Sequence, residues 1–355
     1  MAGDVRGGPC RVEGRGSDLK PLRIAAVGAG VGGLAHGVLL SRLGHAVTVI
    51  ERFAEPRPVG SGLLLQPLGL AAMDRLGLRA SIEPLGHRIT YLHGMTATGR
   101  TIFDASGARS ALRLEISKRS PRPFSYGAVW ALVPDIGIAE GTLAQRYVEA
   151  RIMLGYLPVG MRAPGEPPLT ALFWNQKDAQ YAAWRNGFDW WRDQARAMWP
   201  GLGPVLDGLT GPDDFTHAGY VHFTARQPWR GKLVLTGDAA HATSPQLGQG
   251  ANQALIDAVV LADALASASD TQQAFHLYAR ARRDHVRFYQ YASLMMTAFF
   301  QFDSRTLPWL RDVFFHPMKC VPWLHREMIR TLAGLKTGAF GSTPPAAIVN
   351  RLATP

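Results

Sequence analysis

Three glycines, Gly28, Gly30 and Gly33, fall in the run VGAGVGG, behind a short apolar stretch and ahead of a segment with helical spacing. Gly28 permits a tight turn, Gly30 lets the backbone approach a pyrophosphate, and Gly33 allows the following helix to pack closely. The N-terminal N–H groups of that helix then point at the phosphates. Glu51 closes the next β-rich run, where a carboxylate can accept hydrogen bonds from ribose hydroxyls. Strand, glycines, helix, strand and acid all agree, which makes an ordinary turn beside a solvated glutamate the weaker reading. The fingerprint by itself does not separate NAD from FAD.

A second segment, LVLTGDAAHATSPQLGQGANQALIDA from Leu233 to Ala258, makes that choice. Its strand, Leu233 to Thr236, ends in Gly237 and Asp238, and a loop rich in Pro and Gly then runs into a helix. In this arrangement Asp238 accepts hydrogen bonds from ribityl hydroxyls. The backbone N–H groups from Gly248 to Ala251 point toward a flavin pyrimidine edge, where negative charge gathers on reduction.

With the first fingerprint, the run GDAAH, Pro245 and GQGAN resemble the FAD signatures of the aromatic-ring monooxygenases, the p-hydroxybenzoate hydroxylase-like flavoprotein hydroxylases. The text ERFAEPRPVGSGLLLQ, Glu51 to Gln66, is similar to that family too, and the likeness extends over most of residues 22 to 337. The resemblance implies that Glu51 and Arg52 lie near the adenosine end and Asp238 near the ribityl chain, with Pro245, Gly248, Gly250, Ala251 and Asn252 near the isoalloxazine. Gly60, Gly62 and Arg109 complete the cofactor-binding set that it implies. It also implies NAD(P)H as a transient co-substrate, which suits the presence of a single dinucleotide fingerprint. O2 and a small aromatic substrate follow, with oxygen transferred through a C4a-hydroperoxyflavin. Catalytic residues in the substrate pocket are not identified, and His241 is open between a structural and a flavin-side role. No Trp-x-Trp-x-Ile-Pro halogenase signature, P-loop, zinc spacing or GxSxG elbow occurs.

One departure from the family bears on activity. Its mid-chain signature, Asp-Gly followed by Ser and Arg, has its nearest counterpart in SGARSALR, which keeps Gly107, Arg109, Ser110 and Arg113 but carries Ser106 in place of the Asp. The stretch between Gly33 and Ser106 is also short, as though a block with part of the sheet were deleted. Two alternatives to the monooxygenase reading therefore stand: a degenerate flavin-binding relative with little activity, and an FAD-dependent dehydrogenase or reductase.

The elements that must position these residues follow from periodicity. Leu22 to Val27 and Ala46 to Ile50 read as strands around a helix at Leu34 to Leu43. Strand-like pieces such as Ser125 to Val133 and Arg151 to Leu157 follow, then helical composition from 179 to 199. A long helix runs from Thr271 to about Gln301, and shorter helical pieces reach Thr337. The cluster Trp184, Phe188, Trp190, Trp191 and Trp199 within 179 to 199 suits core packing better than substrate stacking. The expected fold is α/β: a glutathione-reductase-like FAD-binding Rossmann domain with an inserted β-rich substrate domain and C-terminal helices. Its divisions are a disordered tail (1–21), FAD-binding parts (22–80 and 220–268), a substrate domain (81–219, with the remnant signature at 104–113) and a helical region (269–355).

Bulk composition supports this class. A chain of 355 residues with 47% hydrophobic content can bury a large core. Cys10 and Cys320 are too few and too far apart for a disulfide framework or a metal cluster, so no metal is expected. No apolar run approaches the roughly 20 residues of a membrane span, and the N-terminus lacks an apolar signal core, which points to the cytoplasm. The net charge of +11 is carried by scattered arginines. That distribution argues against nucleic acid and for a field that draws anionic ligands.

Overall fold

The computed structural model describes residues 19–51, 53, 63–89, 91–93, 113–117, 120–148, 152–300, 321–338 and 341–342. It opens with β1 (Arg23–Val27), α1 (Val31–Arg42) and β2 (Ala46–Ile50), the expected βαβ unit. The two strands pair in parallel from Arg23↔Ala46 to Val27↔Ile50. Gly28, at φ 100°, turns the chain out of β1, in a left-handed region that side-chain-bearing residues avoid. α2 (Pro67–Leu76) starts with Pro at its first position and stops at Gly77, which is left-handed at φ 72°, the usual asymmetry of helix ends. α3 (Arg79–Ile82) follows.

After β3 (Tyr91–His93) and α4 (Arg113–Ile116) the chain builds most of one sheet from β4 (Arg122–Pro134), β5 (Thr142–Val148), β6 (Ile152–Gly160) and β7 (Leu169–Lys177). α5 (Tyr181–Asn186), α6 (Phe188–Met198) and α7 (Gly203–Asp207) come next, and β8 (Thr216–His222) completes the sheet. The strand order is β3-β5-β6-β7-β4-β8. One face carries Val129, Ala131, Leu154, Tyr156, Leu172 and Trp174 into a core with Trp184, Phe188, Trp191 and Trp199. The aromatic cluster is thus core, with one correction: Trp190 is 70% exposed. Phe188, Trp191 and Ala195, spaced three and four apart, form the buried side of α6, and position 190 falls on the far side.

β9 (Trp229–Arg230) and β10 (Leu233–Val234) form a short hairpin, followed by α8 (Gly237–His241), α9 (Gly250–Ser267), α10 (Thr271–Phe300) and α11 (Pro322–Leu332). The ladder at β10 is shorter than the expected strand through Thr236. Leu235 continues by donating its N–H to Pro228 O at 2.7 Å, and Thr236 becomes the N-cap of α8. α9 is buried continuously from Gly250 to Leu265. It is the central rod of a core that gathers Ala35, Leu39 and Leu40 of α1, Leu68, Ala72 and Leu76 of α2, and Ala274, Phe275 and Tyr278 of α10. No helix among the described residues is long and apolar enough to cross a membrane.

Candidate cofactor site

The first half of the site is the glycine turn. Gly30 is the N-cap of α1; no side chain caps it, and the first turn holds no acidic residue. The first-turn N–H groups therefore keep their donors, and the positive end of the helix dipole, for an outside acceptor. Gly33 is buried, as close helix packing requires. Glu51 comes back over the turn: its Oε2 accepts the N–H of Ala29 at 2.7 Å, and Oε1 accepts that of Phe53 at 3.3 Å. The structure therefore brings Gly28, Gly30, Gly33 and Glu51 to one place.

The second half is built by α8, the loop after it and the start of α9. Gly237 has φ 53°, and Asp238 is buried in the first turn of α8. Pro245 begins a 3-10 turn that ends at Gly248, left-handed at φ 60°. Gly250, Ala251 and Asn252 form the first turn of α9, whose N-cap Gln249 makes no side-chain cap. This is a second uncapped N-terminus on a long helix, suited to developing negative charge.

Three devices brace this second half; the sequence marks Asn252 as a candidate site residue and Arg113 as part of the remnant signature but not the contacts they make, and does not mark Asp257. Asn252, fully buried, accepts the N–H of Gln66 at 3.1 Å and donates to Leu64 O and Gly248 O, both at 3.0 Å. Its side chain is a clamp between the stretch before α2 and the loop before α9, so contact with a ligand there falls to the backbone. Gln66 adds a bond from Nε2 to Leu247 O at 3.1 Å. The second device is Asp257, in the middle of α9. Its Oδ2 accepts the N–H of Gly237 at 2.6 Å and faces His241 Nε2 at 2.7 Å, while Oδ1 accepts Arg282 Nε at 2.5 Å. Burial pushes this carboxyl up, but His241 and Arg282 outweigh it and hold it well below the usual carboxylate range. His241 is thereby placed in a buried network behind α8. An aspartate in the otherwise apolar run ALIDAVVLA was the signal that sequence reading passed over.

Arg113 is the third device. Its buried guanidinium donates to Ala239 O at 2.9 Å and Asp238 O at 2.8 Å, and it stacks 4.2 Å from the centre of Phe223. The last residue of the remnant mid-chain signature thus reaches the segment that bears Asp238. Arg52, Gly60, Gly62 and Arg109, with Ser106, Gly107 and Ser110, lie outside the described residues, as does the N-terminal tail up to residue 18. Among the described residues no group of His, Cys, Asp and Glu is placed to hold a metal ion.

A family model described as "FAD binding domain" matches residues 22–135 and 163–289. The chain belongs to that family. Among its relatives, an FAD-dependent urate hydroxylase of Klebsiella oxytoca is 24% identical over 348 positions, covering 75% of this chain and 87% of the relative. A kynurenine 3-monooxygenase of Salinispora arenicola is 26% identical, covering 74% and 76%. The fold is shared with Klebsiella pneumoniae HpxO solved with FAD and uric acid, at a TM-score of 0.72 and 18% identity over 90% of this chain and 98% of that one. These relatives bear out the FAD-dependent aromatic hydroxylase family and its α/β fold. FAD is the cofactor of this flavoprotein family. The two uncapped helix N-termini, the open glycine turn and the carboxylates Glu51 and Asp238 fit its anionic and hydroxyl-bearing parts.

Proposed function

We propose that the protein is an FAD-dependent monooxygenase that uses NAD(P)H and O2 to hydroxylate a small aromatic molecule. The observation that carries this reading is the union of one glycine fingerprint with the Gly237–Asn252 segment, whose helices α1 and α9 pack in one core, while Asn252 ties the second segment to the stretch before α2. FAD, when bound, supplies hydride acceptance from NAD(P)H and activation of O2. The chain's own residues do the rest. The N–H groups at the start of α1 take the pyrophosphate, Glu51 takes the ribose hydroxyls, and Asp238 takes the ribityl hydroxyls. The N-terminus of α9 steadies negative charge at the pyrimidine edge. Arg52, Gly60, Gly62 and Arg109 belong to the same proposed set.

The face of the six-stranded sheet turned away from α5–α7 supports an aromatic substrate. Leu143, Met153 and Phe173 are buried there, with Trp130, Tyr147 and Leu157 partly buried around them. A side chain at position 155 would lie 2.1 Å from the Phe173 ring, so the glycine there lets the ring lie flat on the sheet. The charge of +11 favours an anionic aromatic and the phosphates of NAD(P)H. A cytoplasmic location, where reduced pyridine nucleotide is at hand, belongs to this reading.

A second reading, a flavin-binding relative of low activity, is favoured by the sheet of the FAD-binding half. Among the described residues β1–β2 and β9–β10 form separate two-stranded ladders, and Leu34 and Ile50 are 53% and 49% exposed. The 348-position alignment with the urate hydroxylase takes in only 75% of this chain, so that relative carries residues with no counterpart here. An oxygen electrode with FAD-loaded protein, NADH or NADPH, and a panel of aromatic acids tests the proposal. Oxygen uptake stimulated by one of the aromatics supports it. Anaerobic reduction of an artificial acceptor with no uptake in air overturns it in favour of a dehydrogenase.

A further inference from the structure

Behind the loop that joins α8 to α9, the structure has a cavity of about 10 Å3 lined by His241, Thr243, Gln249, Gln253, Gln290 and Ser293. Gln249, Gln253 and Gln290 are more than nine-tenths buried. Among the described residues, Gln249 Oε1, Gln253 Nε2, Gln290 Oε1 and Thr243 Oγ1 find no hydrogen-bond partner. Four such atoms on residues that line one small space call for a partner, because buried polar groups are almost always paired.

The amide orientations follow from the other end of each side chain. Gln249 Nε2 donates to Leu332 O at 2.9 Å and to Gln66 Oε1, which leaves Oε1 as its unpaired acceptor. Gln253 Oε1 accepts Arg282 Nη2 at 2.6 Å, leaving Nε2 as its free donor. Gln290 Nε2 donates to His241 O at 2.6 Å and so presents Oε1. The cavity thus offers two acceptors, one donor and one hydroxyl that can act as either. A metal cation needs oxygen on every side, and the Gln253 amide nitrogen opposes it. An ammonium ion has more donors than this wall has acceptors. A water molecule gives two hydrogens to Gln249 and Gln290 and accepts from Gln253 and Thr243, and the volume admits one.

We propose that this cavity is a built-in site for a single water molecule that fastens the Thr243–Gly250 loop to α10. The loop is already tied to that helix by Ser244 Oγ, which meets Ser293 Oγ at 2.8 Å and also Thr297 Oγ1. The water adds a second tie, through Thr243 and Gln249 on the loop side and Gln290 on the helix side. The consequence for the cofactor rests on the reading that Pro245–Asn252 face FAD: the loop holds its shape because its back is hydrated at one fixed point.

A crystal structure at a resolution that shows ordered water, determined with and without added FAD, is the first test. One peak within hydrogen-bond distance of Gln249 Oε1, Gln253 Nε2 and Gln290 Oε1 is expected in both. A dry cavity, amides paired with one another, or a peak with the anomalous signal of an ion overturns the site. Absence of FAD from the FAD-soaked crystal, with the water present, counts against the proposed function and leaves the site standing. The second test is FAD titration of Thr243→Val and Thr243→Ser. The valine variant is expected to bind FAD several-fold more weakly and the serine variant like the parent. Valine and parent binding alike overturns the fastening role.

Discussion

Gly69→Ala sets two opposing effects against each other. Position 69 lies inside α2, and replacing glycine by alanine within a helix stabilises by about 0.5–1 kcal/mol. Helix propensity alone therefore predicts a more stable protein. The structure predicts the reverse, because the new Cβ would lie 2.0 Å from Asn252 Oδ1 and 3.0 Å from its Cγ. Asn252 is fully buried and cannot give way without loosening its bonds to Gln66 N, Leu64 O and Gly248 O. A buried hydrogen bond contributes about 1 kcal/mol net, and each partner left unpaired costs about 1–3 kcal/mol. After the helix gain is set against this, a net loss of about 2–4 kcal/mol remains. It should fall on the FAD-binding half, and FAD binding should weaken with it. Thermal melts and FAD titrations of Gly69→Ala, Asn252→Ala and the double variant measure the effect and its coupling. In the Asn252→Ala background the alanine at 69 has nothing to displace, so most of its cost should vanish. A Gly69→Ala protein as stable as the parent, or a cost unchanged in the double variant, would refute the clamp.

Three further outcomes are expected. Asp238→Ala should weaken FAD binding by one charge-assisted hydrogen bond, about 1.5–3 kcal/mol, read by fluorescence titration; unchanged affinity removes Asp238 from the site. Stability should fall in mild acid, because burial lowers His36 to about 4 and His285 to about 3. The unfolded chain takes those protons near pH 6.5 while the folded chain resists them, so stability is full above about 6.5 and drains away as pH falls toward 4 and then 3. For His36 the loss amounts to about 3 kcal/mol, and melts across pH 7 to 4 that show no decline contradict it. Asp257 has a depressed folded pKa, so its contribution holds above about pH 4 and is lost below that. Ser106→Asp alone should recover little, whereas inserting the corresponding block from a relative together with Ser106→Asp should raise FAD occupancy and NAD(P)H oxidation together. If the parent already matches its relatives in both, the deletion is without consequence.

The parts of this molecule that could be read from sequence are those where backbone geometry restricts the residue type. Gly28 takes a left-handed backbone at φ 100° that favours glycine, Gly33 is buried in α1, and β1, α1 and β2 follow at nearly the expected positions. α10 and α11 were legible for a different reason, their length and periodicity. β7 was passed over because LTALFWNQK is buried almost throughout and shows no alternation. In β8, THAGYVH has too little apolar content to stand out. The side chains that hold the site together were the hardest to read. The long-range bonds of Gln66, Asn252, Asp257 and Arg282 span 16 to 188 residues, and nothing local marks which partner a buried amide or carboxylate meets. Trp190 shows the converse: composition grouped it with four buried aromatics, and only its angle on α6 places it outside.

The central claim is that this chain forms an FAD site from two segments whose helices, α1 and α9, pack in one core. Titration of the purified protein with FAD, followed by absorbance and flavin fluorescence, tests it most directly. Saturable non-covalent binding with one FAD per chain is predicted, with a perturbed flavin spectrum that is lost on unfolding. A well-folded protein that carries no flavin bands and shows no saturable binding would contradict the account.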